Sequence, residues 1–450
     1  DIKVLCFTWN VGNKMPDQSQ LSQWLPEEGL AKWDIIAVGT QECAFNAKEK
    51  KKDKSKKGKK TLKAGDFAET SVDDAAMRPS VAMDAADDDE AEDEDLSGKG
   101  AKRNSIEKDA AVWDRMVAKR LGKGYTVVKH VALWQMRLTV YAKAHYYRGV
   151  HAKIHHVQSA KSATGVGGVL GNKGGLVVRL DFGQTSLGFC SCHLAAHAHK
   201  LSSRNQNCME ILRETEHEVG VPRLDFAHQF DHVFWMGDLN YRTDLNLAAA
   251  QEHIKLGVAV PPPGPYGDGK PGGGDDDKQH QAATHRMIEA TDWPSLYKAD
   301  QLHISQENGD GFVGFSEGDL NFPPTFKVLR KDGLEYKTQR TPSYCDRVLW
   351  KSMPPLKTLL ELTNYTALPS VTTSDHKPVL AEFLIQPSES IFQLAMAHRG
   401  ASAMLHGAEN LMSGAVNLVT HSPRIFTPRS GRDNSRRDDT NSANGSRREA

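Results

Sequence analysis

The sequence has few cysteines, no long apolar run and no net charge, and each absence excludes a class of protein. Only 6 of the 450 residues are cysteine, and they lack the paired spacing of a zinc site. Buried, reduced thiols of a cytosolic protein are therefore the favoured interpretation. No apolar run reaches the roughly 18–20 residues that span a bilayer, and no signal peptide opens the chain. A net charge of zero and a hydrophobic content of 39% exclude a wholly basic nucleic-acid coat. The chain begins at Asp1 instead of Met, which favours a fragment of a longer protein.

Four segments differ in composition from the predicted folded domain, residues 1–386. Residues 44–110 open with the lysine run "KEKKKDKSKKGKK" and contain the acidic run "DAADDDEAEDED". Such blocks bury no apolar area and predict a disordered insertion, with contact to a membrane or partner as the alternative. Residues 257–280 are rich in Pro and Gly and predict a second loop insertion. A repeat of seven residues predicts an amphipathic helix over 387–422, docked on the domain or on a membrane surface. Residues 423–450 are rich in Arg, Ser and Asn and predict a disordered tail.

The rest of the chain alternates short apolar strands with a few helical patterns. The predicted strands are "IKVLCFTWNV", "DIIAVGTQE", "GGLVVRLDF", "TSLGFCSCHL", "HVFWMGDLN", "RVLWKS" and "VLAEFLI". The segments "RNQNCMEILRETEHEV" and "LNLAAAQEHIKL" predict helices. The pattern indicates an α/β chain that is rich in strands and lacks the regular βαβ repeat of a barrel.

Six of the predicted strands carry chemically active polar residues at one end. These residues are Asn10, Glu42, His193, the Asp238-Leu239-Asn240 triplet, Asp346 and the Asp375-His376 pair. Strand ends of packed sheets meet at one rim, where open α/β sheets bind ligands. Carboxylate and amide oxygens without a thiolate cluster suit Mg²⁺, and an Asp with a His suits water activation or leaving-group chemistry.

The triplet Asp-Leu-Asn occurs three times, beginning at Asp238, Asp244 and Asp319. Asp and Asn are common in polar turns, so the triplet alone indicates only a turn. The first copy ends a predicted buried strand, whereas the second opens a helix and the third lies in a polar loop. We therefore assign a functional role to the first copy alone and predict that Asp244 caps its helix.

The segment "FKVLRKDGLEYKTQRTPSYCDR" is rich in basic residues, although the whole chain is neutral. Cations gathered near a rim indicate an anionic ligand. Lys327, Arg340 and Arg347 stand beside motif residues and are predicted to contact it. Arg330 and Lys331 are predicted to be solvated surface residues.

The motifs of the chain resemble those of one enzyme family. "FTWNV", "GTQE", "GVGGVLGNKGG", "CHLAAH", "FWMGDLNYR", "FPPTFK", "TPSYCDRVLW" and "TSDHKPV" follow the order seen in inositol polyphosphate 5-phosphatases. The resemblance covers roughly residues 1–386 apart from the two insertions. It implies a DNase I-like fold, a four-layer α/β sandwich of two packed mixed β-sheets flanked by helices. The lysine-rich and acidic insertion directly after Glu42 departs from the family pattern.

The resemblance also implies roles for the residues at the strand ends. Glu42, with Asn10 beside it, corresponds to the Mg²⁺-binding residues of the family. Asp375 is implied to support the metal ion through water. Asp238 and Asn240 resemble the pair that positions the attacking water and holds the phosphoryl oxygens. In the same motifs, His376 faces the phosphate, Asp346 orients His376, and His193 lies at the adjacent strand end.

Further motif residues are implied to bind substrate. Lys327, Tyr336, Lys337 and Arg340 correspond to the segment that grips a neighbouring ring phosphate. Asn172 and Lys173 belong to "GNKGG", which as an alternative forms only a tight turn.

The implied activity is Mg²⁺-dependent hydrolysis of the 5-phosphate of an inositol polyphosphate or a phosphoinositide. Which group accepts the proton of the attacking water, and whether the substrate is soluble or lipid, stay open at this point. A nuclease or sphingomyelinase of the same fold and an inactive phosphoinositide-binding scaffold are the alternatives. We expect a monomeric catalytic domain without nucleic acid, located in the cytoplasm, with peripheral membrane contact as a further expectation.

Overall fold

The computed structural model describes residues 1–25, 30–44, 112–150, 152–164, 173–256, 275–338 and 340–387. All of them belong to one compact unit. The predicted tail lies outside the described residues, and so do the predicted charged insertion except residue 44 and the predicted helix over 387–422 except residue 387. In the described part, no helix is both long and apolar enough to cross a membrane.

Twelve described strands form two six-stranded sheets. The first sheet contains β1 (Ile2–Asn10), β2 (Ile35–Gln41), β3 (Tyr125–Leu133), β4 (Met136–Lys143), β11 (Leu360–Ala367) and β12 (Val379–Ile385), in the order β11-β12-β1-β2-β4-β3. The second contains β5 (Ile154–Ala163), β6 (Gly174–Phe182), β7 (Thr185–His193), β8 (His232–Asp238), β9 (Ser316–Glu317) and β10 (Asp346–Ser352), in the order β5-β6-β7-β8-β10-β9. Both sheets are mixed, because β1 with β2 and β7 with β8 are parallel and the other neighbours are antiparallel.

Eight helices are described beside the sheets. They are α1 (Leu21–Trp24), α2 (112–121), α3 (Ala144–Tyr147), α4 (Leu201–Thr215), α5 (Leu245–Lys255), α6 (Asp275–Glu289), α7 (Trp293–Lys298) and α8 (Gln301–Asn308). Both predicted helices are confirmed, as α4 and α5. Residues 257–274 of the second predicted loop lie outside the described residues, and residues 275–280, predicted as loop, belong to α6.

The two sheets pack face to face, and helices cover their outer faces. Val4 and Phe383 of the first sheet share a core cluster with Phe234 of the second, and the rings of Phe234 and Phe383 lie 4.7 Å apart. On the outer face of the first sheet, α2 contributes Trp113 to a second cluster; Ile211 of α4 belongs to a third cluster on the other sheet. The predicted four-layer sandwich is therefore confirmed.

All seven predicted strands are confirmed, because central strands buried on both faces require continuous apolar runs. The other five strands lack that signal in the sequence: β3, β4, β5, β9 and β11. Four of these, all except β4, lie at a sheet edge and carry exposed residues, so that their apolar content is low. The six cysteines are all buried and form no disulfide, as predicted.

Candidate active site

The strand register brings the predicted polar ends of both sheets to one rim. In the second sheet, Asp238 at the end of β8 pairs with His193 of β7 and with Asp346 of β10. From the first sheet, the Nδ2 of Asn10 donates to Oε1 of Glu42 at 2.8 Å and to Oδ2 of Asp238 at 3.0 Å. The two sheets therefore meet at a cluster of carboxylates, amides and imidazoles.

The backbone at these strand ends adopts conformations that turn side chains into the rim. Glu42 and Asn240 have φ values of 55° and 57°, in the left-handed region. Gly237 has a φ of 148°, and a Cβ at this position would lie 2.1 Å from the carbonyl oxygen of Cys192. The glycine before Asp238 is thus required by the close approach of β7 to β8.

Asp238 lies at the centre of the cluster and is almost completely buried. Its Oδ2 is 3.2 Å from Nε2 of His193 and 4.0 Å from Nε2 of His376. Its Oδ1 accepts from the backbone N–H of Asn240 at 3.1 Å. Burial alone would raise the pKa of Asp238, but the imidazoles of His193 and His376 and the ammonium of Lys173 outweigh it and lower this pKa far below its usual value. Asp238 is therefore a carboxylate at neutral pH.

His376 and Asp346 form a buried pair beside Asp238. Nδ1 of His376 lies 2.9 Å from Oδ2 of Asp346, to which Thr325 also donates a hydrogen bond of 2.7 Å. The backbone N–H of His376 donates to Oγ of Ser374 at 3.1 Å. Burial would lower the pKa of His376, but the charges of Asp346 and Asp238 outweigh it and raise this pKa to about 9. His376 is thus an imidazolium at neutral pH, with Nε2 facing the cluster.

Asn240 is held by neighbours on both sides of its amide group. Its Nδ2 donates to the carbonyl oxygen of Leu194 at 3.1 Å, and its Oδ1 accepts from Nη2 of Arg242 at 2.6 Å. The guanidinium of Arg242 also lies 4.5 Å from the ring centroid of Phe326. Arg242 was not among the residues predicted from the sequence, although it ends the motif "FWMGDLNYR". Its place two residues after Asn240 is the signal that could have identified it.

The segment from Lys327 to Lys337 runs next to the rim, where the backbone N–H of Val328 donates to the carbonyl oxygen of Asp375 at 2.9 Å. Val328 bridges to Tyr336, and the backbone N–H of Lys337 donates to the carbonyl oxygen of Lys327 at 2.9 Å. Tyr336 is buried and donates its hydroxyl to the carbonyl oxygen of Pro324 at 2.7 Å. The fold therefore uses Tyr336 as a brace of this segment, and its committed hydroxyl does not suit the predicted direct contact with substrate.

Arg330 connects this segment to the first sheet, which the sequence did not indicate. Its Nη2 donates to the carbonyl oxygen of Gly12 at 2.9 Å and to Oδ1 of Asp375 at 3.2 Å. Arg330 is exposed, as predicted, but its guanidinium also links parts of the chain 318 positions apart. Lys331 is likewise exposed and pairs with the exposed Glu335.

One of the predicted substrate residues, Arg347, does not lie at the rim. Arg347 is completely buried and binds Glu317 through Nε and Nη2 and Asp300 through Nη1. A guanidinium enclosed by two buried carboxylates has no exposed donor for a substrate, so the prediction for Arg347 is corrected to an internal ion pair. Asn172 lies outside the described residues. Its neighbour Lys173 does reach the cluster, with Nζ 2.6 Å from Nε2 of His193.

The donors at the rim fit a hard divalent cation. Oδ1 of Asp346 is buried without a hydrogen-bond partner, and His376, as an imidazolium, offers no lone pair to a metal ion, so the available donors are carboxylate oxygens. Glu42 and Asp238 add carboxylate oxygens on either side of Asn10. Asn10 faces both through its amide nitrogen, while its Oδ1 accepts from the N–H of Gly12, so Asn10 orients the carboxylates. Oxygen donors without thiolates favour Mg²⁺ over softer metals.

Asp375 stands beside this set with one oxygen already bound to Arg330. Burial would raise the pKa of Asp375, but the positive charges of His376, Arg330 and Lys327 lower it. Asp375 is therefore ionised at neutral pH, which suits the predicted support of a metal through water.

Curated relatives resemble the chain over more than half of its length. Phosphatidylinositol 3,4,5-trisphosphate 5-phosphatase 2A of Danio rerio is 31% identical over 271 residues, which cover 58% of this chain and 18% of that protein. Phosphatidylinositol 3,4,5-trisphosphate 5-phosphatase 1 of Xenopus laevis is 32% identical over 314 residues, which cover 67% and 27% respectively. The chain thus spans less than a third of the length of these relatives.

Two solved structures show the same fold. The inositol polyphosphate 5-phosphatase domain of SPsynaptojanin, in complex with inositol (1,4)-bisphosphate and a calcium ion, has a TM-score of 0.53 at 20% identity; the match covers 91% of this chain and 93% of that chain. Cimex nitrophorin, as the ferrous NO complex of a point mutant, has a TM-score of 0.51 at 19% identity, with coverages of 86% and 99%. At such identities the two matches establish the fold and leave the chemistry to the site residues.

The family itself follows from a profile match over most of the chain. The profile described as Endonuclease/Exonuclease/phosphatase family 2 matches residues 7–259 and 276–382. The match contains every residue placed at the rim above, from Asn10 to His376. The resemblance recognised in the motifs is therefore confirmed, and the chain belongs to endonuclease/exonuclease/phosphatase family 2.

Proposed function

We propose that the chain hydrolyses the 5-phosphate of inositol polyphosphates or phosphoinositides, with Mg²⁺ as cofactor. The observation that carries this proposal is the convergence of the carboxylate Asp238 and the imidazolium His376 at a rim next to a basic segment. The names of the curated relatives, which are phosphoinositide 5-phosphatases, support the same substrate class.

Glu42 and Asp238, oriented by Asn10, would hold the metal ion, with Asp375 as an outer support. When bound, the ion supplies positive charge that stabilises the phosphoryl and leaving oxygens during attack by water. The finer assignment to Mg²⁺ rests on the hard oxygen donors of these side chains.

Asp238 and His376 have different roles in the reaction because they carry opposite charges. Asp238 carries a negative charge next to the phosphate position and orients the attacking water through hydrogen bonds. Its strongly lowered pKa makes Asp238 a weak base, so we assign it the positioning of water and leave the acceptance of the proton to solvent or to the phosphate itself. His376, kept protonated by Asp346, donates from Nε2 to a phosphoryl oxygen.

The residues around this pair hold the substrate. Asn240, fixed by Arg242, faces the phosphoryl group, and Lys173 adds positive charge beside His193. Lys327 and Lys337 lie on the braced segment, and Arg340 follows it. They provide cations for a second phosphate on a compact ring, which a nuclease or sphingomyelinase does not require.

The location and assembly of the protein belong to the same proposal. A phosphoinositide substrate requires contact with a membrane surface, and the buried reduced thiols suit the cytoplasm. We assign the domain to the cytoplasm as a monomer that binds membranes peripherally. Light scattering of the purified chain tests the monomer, and flotation with liposomes tests the membrane contact.

The decisive experiment is phosphate release from a panel of soluble inositol phosphates, phosphoinositide liposomes and single-stranded DNA, with Mg²⁺ and with excess EDTA. We expect Mg²⁺-dependent release from substrates with a 5-phosphate and no cleavage of DNA. Glu42→Gln should lower turnover by at least a hundredfold, whereas Glu361→Gln, on an exposed position of β11, should not change it. Undiminished release in EDTA would refute the metal assignment, and activity on DNA alone would refute the substrate class.

A further inference from the structure

A second cluster of metal-binding side chains lies outside the proposed active site, on the hairpin of β5 and β6. It consists of His155, His156 and Asp181, whose ligand atoms lie within 4.8 Å of one another. Asp181 is seven residues along β6 from Gly174, which pairs with His193 at the rim. At roughly 3.3 Å per strand residue the two clusters are about 23 Å apart. The second cluster therefore has no part in the hydrolysis proposed above.

An irregularity in β5 turns His156 toward Asp181. His155 pairs directly with Asp181, and residues opposite each other in antiparallel strands share a face. Regular alternation would send the next side chain, His156, to the other face of the sheet. The register shifts between His155 and Gln158, and His156 has a φ of 50°, in the left-handed region. As a result, Nδ1 of His156 lies 2.7 Å from Oδ2 of Asp181.

The hydrogen bonds around the cluster resemble those that orient metal ligands. Nδ1 of His155 lies 3.0 Å from the carbonyl oxygen of Lys153, which places the proton on Nδ1 and leaves the lone pair on Nε2. Ligating imidazoles are commonly anchored in this way through their second nitrogen. Arg179 donates to the carbonyl oxygen of His156 at 2.7 Å and lies 3.2 Å from Oδ1 of Asp181. Arg179 thus fixes the bulge. Oδ2 of Asp181 faces His156, and Oδ1 is buried and accepts no hydrogen bond.

We propose that His155, His156 and Asp181 bind one divalent transition-metal ion of the zinc type. Two imidazole nitrogens and one carboxylate oxygen are a donor set for Zn²⁺ and its neighbours, whereas Mg²⁺ prefers oxygen donors alone. His156 would bind through Nδ1 and carry its proton on Nε2. The ion would replace the hydrogen bond between His156 and Asp181 and tie β5, at the edge of the second sheet, to β6.

The test uses Zn²⁺ itself with the full 450-residue chain. The chain is stripped of metal with EDTA, desalted and titrated in competition with a chromophoric zinc chelator. Excess Mg²⁺ and an Asp238→Asn background suppress binding at the proposed active site. We expect one equivalent of Zn²⁺, with an affinity reduced roughly tenfold or more by His155→Gln and by His156→Asn. Asn is chosen at position 156 because it tolerates a left-handed backbone.

A matched control comes from another exposed histidine. His228 also contacts a carboxylate, with Nδ1 2.7 Å from Oδ1 of Asp225, but it lies outside the cluster. His228→Gln should leave the zinc affinity unchanged, and X-ray absorption at the zinc edge should show imidazole ligands. Circular dichroism checks the fold of each variant. If His156→Asn misfolds, the zinc affinity of His155→Gln decides the test, because this variant leaves the bulge residue His156 unchanged. The absence of bound zinc, equal binding by His155→Gln and the parent, or an equal loss in His228→Gln would overturn the proposal.

Discussion

Replacement of Asp238 by Asn removes one negative charge from the centre of the proposed active site with almost no change in volume. In the native structure, Oδ2 of Asp238 accepts a hydrogen bond from Asn10 at 3.0 Å and lies 3.2 Å from Nε2 of His193. An amide at this position offers one oxygen instead of two. It therefore cannot accept from the N–H of Asn240 and from Asn10 at the same time. The variant also loses the charge that helps to keep His376 protonated.

The size of the effect follows from what the carboxylate is proposed to do. A group that orients or activates the attacking water contributes roughly 10²–10⁴-fold to the rate. Loss of the metal-binding oxygen adds to this, so we expect turnover to fall by at least ~10³-fold, or about 4 kcal/mol in activation free energy. The fold should survive, because removal of a buried charge also removes the cost of its desolvation.

The other two Asp-Leu-Asn triplets provide matched controls. Asp244 accepts from the N–H of Leu247 at 2.9 Å and so caps α5, a role that Asn also fills well. Asp319 is exposed in the loop after β9. Asp244→Asn and Asp319→Asn make the same chemical change outside the cluster, and both should retain most of the turnover.

The assay is phosphate release under saturating substrate and Mg²⁺, together with the thermal midpoint of each variant. A loss of less than tenfold in Asp238→Asn would refute the central role of this carboxylate. A comparable loss in Asp319→Asn would show that the strand preceding the triplet does not identify the functional copy.

Three further predictions concern stability and the insertion. His232 is buried, and burial lowers its pKa to about 4, so that the unfolded state, with a pKa near 6.5, binds the proton first. The contribution of His232 to stability should be complete above pH 6.5 and fall by about 3 kcal/mol as the pH drops through 4; urea unfolding of His232→Asn should lack this part of the acid loss, and an unchanged pH profile would contradict the assignment. Arg347→Met leaves Asp300 and Glu317 buried without their partner and should lower the free energy of unfolding by about 3–5 kcal/mol; a raised KM with unchanged stability would instead support a substrate contact. Deletion of residues 47–108 should spare hydrolysis of soluble inositol phosphates, because the closure cost of a flexible loop changes slowly with its length. Loss of that activity would show that the insertion is part of the active site. The only change we expect is weaker binding to liposomes at low salt.

The sequence by itself determined the central strands and the chemistry at their ends. A strand buried on both faces is mostly apolar, so its end is visible where an amide, imidazole or carboxylate side chain follows the apolar run, as at Asn10, His193 and Asp238. The same reasoning separated the first Asp-Leu-Asn triplet from the other two. It did not find edge strands such as β5 and β11, because a strand with a single neighbour needs no continuous apolar run.

Only the tertiary structure decided what each charged residue of the basic segment contacts. Arg330 was predicted to be solvated and Arg347 to contact the ligand, yet the first binds Gly12 and Asp375 while the second is enclosed by Asp300 and Glu317. These partners lie between 30 and 318 positions away, and no local pattern encodes them. The direction of a side chain depends on strand register and on packing between distant segments, which form only when both sheets are assembled.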